Sequence, residues 1–196
     1  MKKTGIFGGS FNPPHTGHLL IAQEAIMQLN LDRIVWIPAK KPPHKLLDGN
    51  AGAADRAEMV RLAIEDNTNF HMSLIEYERE GASYTIDTVK QLLQQDSDQQ
   101  LTFIMGGDMV HTLETWKGIE ELRELVSFAG VKRKDSIVDE SWKEYKVSKI
   151  DVPLLEISST FIRERRQNGG NIRYYLPEKV LQYIEENGLY GQKQSS

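Results

Sequence analysis

The 196-residue chain contains no cysteine, which removes disulfide frameworks, Cys-ligated metal sites and thiol chemistry from the functions open to it. It also lacks any apolar run near the roughly 20 residues that span a bilayer. Its basic start, Met1-Lys2-Lys3-Thr4, leads into a segment broken by Gly5, Gly8 and Gly9 rather than into a signal-peptide core. Positive charge is not in excess: 24 Lys and Arg stand against 28 Asp and Glu, a formal net charge of −4. Bulk nucleic-acid binding, which needs a positive field, is therefore not expected. No internal repeat and no low-complexity tract is present. These absences predict a cytoplasmic protein without membrane or nucleic-acid partners, in which any phosphate recognition is local.

The hydrophobic share of 39% and charged share of 27% are ordinary for a globular protein, and the length suits one core rather than two. A single domain over residues 1–191 is expected, with 192–196 a mobile tail. Apolar segments at residues 4–7, 33–38, 70–75, 101–105, 127–131 and 147–152 read as strands. Helical spacing separates them: Met59, Val60, Ala63 and Ile64; Ile86, Val89 and Leu93; Ile119, Leu122 and Leu125. Residues 91–100, rich in Gln and Asp, read as a helix end and a solvated turn. A last helix starts at Pro177, turns Val180 and Ile184 one way and closes at Gly188. Alternating strands and helices predict an α/β fold: a Rossmann-like, doubly wound, mainly parallel sheet with helices on both faces. Ligands of such sheets bind beyond the carboxyl ends of the strands.

The first strand runs into Gly8-Gly9-Ser10-Phe11-Asn12-Pro13-Pro14-His15-Thr16-Gly17-His18. Two glycines allow unusual dihedrals and a close approach to a ligand, and two prolines delay the helix. A helix opening near Thr16 or Gly17 would present free N–H groups and a positive dipole end, which favours an anion such as phosphate. Neither a G-x-G-x-x-G fingerprint nor a P-loop is present. The alternatives are a purely geometric turn, a surface histidine pair, or zinc, for which no third ligand stands at an obvious companion spacing.

Two segments carry a family resemblance. His15-Thr16-Gly17-His18 matches the H-x-G-H signature of the nucleotidyltransferase superfamily of adenylyl- and cytidylyltransferases, and Ile157-Ser158-Ser159-Thr160-Phe161-Ile162-Arg163 resembles its I-S-S-T-x-[IV]-R signature. Within that superfamily the chain resembles the bacterial nicotinate-nucleotide adenylyltransferases. Further matches are Pro42-Pro43-His44-Lys45, Ser83-Tyr84-Thr85-Ile86-Asp87-Thr88, Gly106-Gly107-Asp108, Trp116 and Tyr183-Ile184-Glu185-Glu186-Asn187-Gly188-Leu189-Tyr190. Two positions depart from the pattern: Ala39 stands where relatives often have a polar residue, and Lys134-Asp135 replaces a common Pro-Gly turn.

The resemblance implies direct adenylyl transfer from ATP to nicotinate mononucleotide, with Mg²⁺ carried by ATP and no resident metal. It implies catalytic roles for His15, His18 and Arg163. ATP would meet Gly8, Gly9, Ser10, Phe11, His15, His18, Gly106, Asp108, Ile157, Ser158, Ser159 and Arg163. The mononucleotide would meet His44, Lys45, Tyr84, Thr85, Trp116, Lys117 and Arg133, its pyridine ring stacking on Trp116.

The residue patterns also admit plainer roles. Ser158 and its neighbours suffice as a helix cap, Trp116 as core or rim packing, Tyr84 and Thr85 as a helix entry. Lys40, Lys134 and Arg166 read as solvated charge. Competing functions are another transferase of the same fold, acting on phosphopantetheine or a cytidylyl acceptor, and a nucleotide-binding regulator without turnover. Homo-oligomerisation is left open.

Overall fold

In the computed structural model, residues 1–41, 48–132, 140–153 and 156–191 are described. Chain order runs β1 (Lys2–Gly9), α1 (Thr16–Leu29), β2 (Arg33–Pro38), α2 (Ala53–Ile64), β3 (Phe70–Met72), α3 (Thr85–Gln95), β4 (Gln99–Gly106) and α4 (Gly107–Val110). It continues through α5 (Ile119–Leu125), β5 (Val126–Lys132), α6 (Glu140–Glu144), β6 (Ser148–Asp151), α7 (Ser159–Gln167) and α8 (Glu178–Glu186). Short 3₁₀ turns at Ile75–Glu78 and Leu113–Thr115 precede α3 and α5.

Six strands form one sheet in the order β3-β2-β1-β4-β5-β6. Every neighbouring pair is parallel. The chain winds outward from β1 on one side and from β4 on the other, so the strand order reverses between them. That reversal opens a crevice at the carboxyl ends of β1 and β4, where Gly8-Gly9 and Gly106-Gly107 lie.

Both sheet faces are apolar because side chains alternate along each strand. Ile6, Val35, Ile37, Leu101, Phe103 and Met105 point to a core closed by Val89 of α3 and Leu122 of α5. Phe7, Ile34, Trp36 and Ile104 point to the opposite core, closed by Ala22 and Ala25 of α1 and Val60 of α2. A third cluster lies outside the second, where Met59 of α2 meets Ile162 of α7 and Val180, Leu181 and Ile184 of α8. The last helix thus reaches the body through α2. None of the helices among the described residues is long and apolar enough to cross a membrane.

Some boundaries differ from the sequence expectation. The third strand ends at Met72, and Ile75 opens a 3₁₀ turn. Gln99 and Gln100 begin β4 rather than lying in a solvated turn. Gln99 is buried, and its side-chain amide donates to the carbonyls of Leu92 and Asp96 at 3.2 and 3.0 Å, closing the end of α3. A polar composition hid a buried capping role.

Candidate active site

The expected turn begins later than its glycines. Gly8 and Gly9 are the last two residues of β1, and their φ angles lie outside the left-handed region. Their missing side chains matter through proximity: a Cβ on Gly9 would stand 3.1 Å from the Phe11 ring. The left-handed turn falls instead on Phe11, φ 44°, before a cis Asn12–Pro13 peptide. Phe11 is 2% exposed and packs against Phe7 and Trp36.

The chain then enters α1 with His15 as N-cap. The imidazoles of His15 and His18 stack at 3.7 Å between centroids, and the His15 N–H donates to His18 Nδ1 at 3.1 Å. Gly17 leaves room for that stack, since a Cβ there would lie 3.0 Å from His15 Nδ1 and the ring would have to give by a few tenths of an ångström. Phe7 and Phe11 present ring edges to His18 at 6.0 and 5.1 Å. Loss of hydration in this setting, and then the neighbouring His15, hold the His18 pKa well below the ordinary imidazole value. His18 is therefore neutral near pH 7. Because Nδ1 accepts, the ring proton sits on Nε2, leaving a neutral N–H donor.

The second signature folds back on this loop. Ser158 caps α7, its Oγ accepting from the Phe161 N–H at 3.1 Å. Ser159 Oγ donates to the Pro13 carbonyl at 2.8 Å, and the Ile157 carbonyl lies 3.9 Å from where a Gly17 Cβ would stand. Residues over 140 positions apart thus share one site. Arg163 stands on the second turn of α7 and is only 3% exposed. Its guanidinium donates to the Asn12 carbonyl at 2.9 Å, Asp48 Oδ2 at 3.2 Å and Thr160 Oγ1 at 3.3 Å. In this state the arginine is anchored inward while an exposed carboxylate, Asp48, meets it from the solvent side.

Across the crevice, β4 ends at Gly106 and Asp108 is exposed on α4. A Cβ on Gly107 would meet the Val131 carbonyl at 2.6 Å, which forces glycine there. Tyr84 is the N-cap of α3 and Thr85 its first residue. Lys117 Nζ lies 4.4 Å over the Tyr84 ring and 3.3 Å from Asp87. Trp116 is half-buried, with its edge to Phe103 at 5.4 Å and its indole N–H on Thr112 Oγ1 at 3.2 Å. Phe103 also lies 3.7 Å from where a Gly8 Cβ would be. It links the Trp116 corner to the end of β1. Of the sequence-derived site residues, His44, Lys45 and Arg133 lie outside the described residues, as does Lys134.

Two basic residues read differently in three dimensions. Lys40, expected to be solvated, donates to the carbonyls of Tyr77 and Arg79 at 3.1 and 2.9 Å. Arg166, also expected to be solvated, is half-buried. Sequence reasoning missed Arg56 altogether. It is 1% exposed on α2 and donates to the carbonyls of Ser10 at 2.9 Å, Ala39 at 2.6 Å and Lys40 at 3.1 Å. It joins the loops that follow β1 and β2. A single arginine in an amphipathic helix carries no sequence signal for such burial.

Comparison with known proteins gives the family. Residues 6–165 match the family model described as cytidylyltransferase-like. The chain is 48% identical over 195 residues to a probable nicotinate-nucleotide adenylyltransferase of Geobacillus thermodenitrificans, covering 100% of this chain and 89% of the relative. It is 47% identical over 190 residues to the nicotinate-nucleotide adenylyltransferase of Bacillus subtilis, covering 97% and 99%. In fold it resembles Plasmodium falciparum nicotinic acid mononucleotide adenylyltransferase complexed with NaAD, with a TM-score of 0.81, 23% identity and coverage of 97% and 98%. The chain belongs to the cytidylyltransferase-like family and, within it, to the nicotinate-nucleotide adenylyltransferases.

Proposed function

We propose that this protein transfers the adenylyl group of MgATP to nicotinate mononucleotide, forming nicotinate adenine dinucleotide and pyrophosphate in NAD biosynthesis in the cytoplasm. The observation that carries this reading is the convergence of both signatures on one loop, at the crevice where strand order reverses.

An oxygen of the mononucleotide phosphate forms the new bond to the α-phosphorus. The bond from that phosphorus to the bridging oxygen breaks, and its electron pair leaves with pyrophosphate. The attacking group is already anionic, so the protein supplies alignment and charge stabilisation rather than a nucleophile. His18 donates through Nε2 to the α-phosphate, and His15 meets the neighbouring phosphate. Gly8, Gly9, Ser10 and Phe11 line the approach, and α1 contributes the positive end of its dipole rather than free N–H groups, since those of His15, Thr16 and His18 already donate to His18 Nδ1 and to the carbonyls of Tyr175 and His15. Arg163 meets the pyrophosphate by exchanging its contact with Asp48 for phosphate oxygens. Ile157, Ser158 and Ser159 hold the opposite wall, and Gly106 and Asp108 receive the ribose. Mg²⁺ enters as part of the substrate, bound by phosphates and water.

For the acceptor, the N–H groups opening α3 at Tyr84 and Thr85 receive the nicotinate carboxylate, Trp116 stacks on the pyridine ring and Lys117 adds positive charge nearby. His44, Lys45 and Arg133 complete the acceptor phosphate site. Donors arranged for a carboxylate disfavour the corresponding amide. The test is pyrophosphate release from MgATP with nicotinate mononucleotide, nicotinamide mononucleotide and phosphopantetheine in parallel. Turnover is expected with the first at the highest kcat/KM. Equal turnover of acid and amide would remove the carboxylate site, and preference for phosphopantetheine would overturn the acceptor.

A further inference from the structure

The closing segment of the described chain matches the family pattern but has no part in the reaction as drawn. Its last aromatic residue, Tyr190, is 1% exposed and has φ 56°, a conformation costly for a bulky side chain and maintained only where its surroundings impose it. Three contacts impose it here. The Tyr190 N–H donates to Asn50 Oδ1 at 2.8 Å. Its ring fills the space beside Gly49, where a Cβ would come within 2.9 Å. Its hydroxyl donates to Asn12 Oδ1 at 2.6 Å, with both ends buried. Burial holds the phenol well above the usual tyrosine range, which keeps it a donor.

Asn12 relays that contact. It is 2% exposed; its side-chain NH₂ donates to the Asp48 carbonyl at 2.8 Å, and its own carbonyl accepts from Arg163 at 2.9 Å. A side-chain amide has one acceptor oxygen and one donor nitrogen. The Asp48 carbonyl, which can only accept, fixes which way round the amide sits, and the Tyr190 hydroxyl then supplies the donor that the buried amide oxygen needs. Three separate stretches of chain, at Asn12, Asp48 and Arg163, thus meet around Asn12, and the Tyr190 hydroxyl holds the one side-chain atom of Asn12 that the other contacts leave unbound.

We propose that Tyr190 is a positioning residue for adenylyl transfer: through Asn12 it fixes the loop carbonyl that aims Arg163 at the leaving pyrophosphate. This rests on the reaction proposed above. Tyr190→Phe removes one oxygen and leaves the ring against Gly49, so it separates the hydroxyl from packing. Steady-state kinetics, MgATP affinity by calorimetry and thermal unfolding are measured for wild type, Tyr190→Phe, Arg163→Lys and the double variant.

At a temperature where all four are folded, Tyr190→Phe is expected to lower kcat about tenfold while KM for nicotinate mononucleotide stays within about twofold. In the Arg163→Lys background the same change is expected to cost less than about twofold, because the path through Arg163 is already broken. A kcat within twofold of wild type, whatever the melting temperature, overturns the proposal; so does an equal loss in both backgrounds. Absence of wild-type turnover with nicotinate mononucleotide would sink the reaction instead. The positioning is then read from MgATP affinity: about fivefold weaker binding in Tyr190→Phe supports it, and unchanged binding overturns it.

Discussion

His18 is neutral and presents its N–H in one fixed direction, where a free imidazole near pH 7 exchanges between two tautomers and the cation. The His15 amide on Nδ1 sets the tautomer, and lost hydration with His15 at stacking distance sets the charge. A neutral preorganised donor stabilises charge that grows on phosphate oxygens without reorganising. Replacing His18 by Ala is expected to lower kcat roughly 10²-fold, and unchanged pyrophosphate release from a folded variant would remove the role. Its depressed pKa also links to stability. The unfolded chain binds a proton near the ordinary imidazole value, about 6.5, while the folded chain refuses it until lower pH. His18 therefore contributes stability that is present above that value and lost as pH falls through the folded pKa. The melting temperature of wild type is expected to fall more steeply below pH 6.5 than that of His18→Gln, which parallel acid-side melting curves would expose. Asp48 poses the converse case, an exposed carboxylate on a buried arginine. With one partner in solvent the pair contributes on the order of 1 kcal/mol, so Asp48→Ala is expected to lower KM for MgATP by about fivefold as competition for Arg163 disappears. A higher KM would mean that Asp48 helps to bind nucleotide.

The site is assembled from starts of helices following strands, and α1 shows what the local sequence must satisfy. Alanine normally stabilises a helix by up to about 1 kcal/mol relative to glycine. At Gly17 the added Cβ would meet the His15 ring at 3.0 Å, and that ring is held between Gly17 and His18. Gly17→Ala is therefore expected to lower kcat about tenfold or more without raising the melting temperature. A variant that is both more stable and fully active would show that the stack has room to move. The strands were legible because their apolar runs and glycine-bounded ends leave few alternatives: β2 falls at Arg33–Pro38 as expected. Both signatures were legible as segments. Their junction through Ser159 and Pro13 was not, because a hydroxyl on a carbonyl leaves no periodic trace. The same holds for the left-handed Phe11 and Tyr190, where tertiary packing overrides a residue type that ordinarily avoids such backbone. Arg56 and Lys40 illustrate the remaining gap. Their partners are backbone carbonyls, and carbonyls are common to every sequence.

Across the whole molecule, the ligand crevice is held from both ends of the chain. Its floor comes from β1 and β4, the loop after β1 is clasped by α7, and α7 packs through Ile162 into the cluster that α2 shares with α8. Tyr190 then returns to Asn12 across 178 positions. With sheet and outer helices so joined, local opening at the crevice must disturb contacts in the third cluster as well. We therefore expect one cooperative unfolding transition, as proposed for a single domain over residues 1–191, with MgATP moving all of it. Ligand at about 100 times its Kd adds about 2.7 kcal/mol to the folded state. In a chain of this size each kcal/mol raises the melting temperature by about 2–4 °C, so a shift of roughly 5–10 °C follows from those two figures. Scanning calorimetry with and without saturating MgATP measures it directly. Two transitions, of which MgATP moves only one, would mean that the outer helices α7 and α8 fold apart from the sheet, and the continuous path from Tyr190 to the loop after β1 would then have to be made on binding.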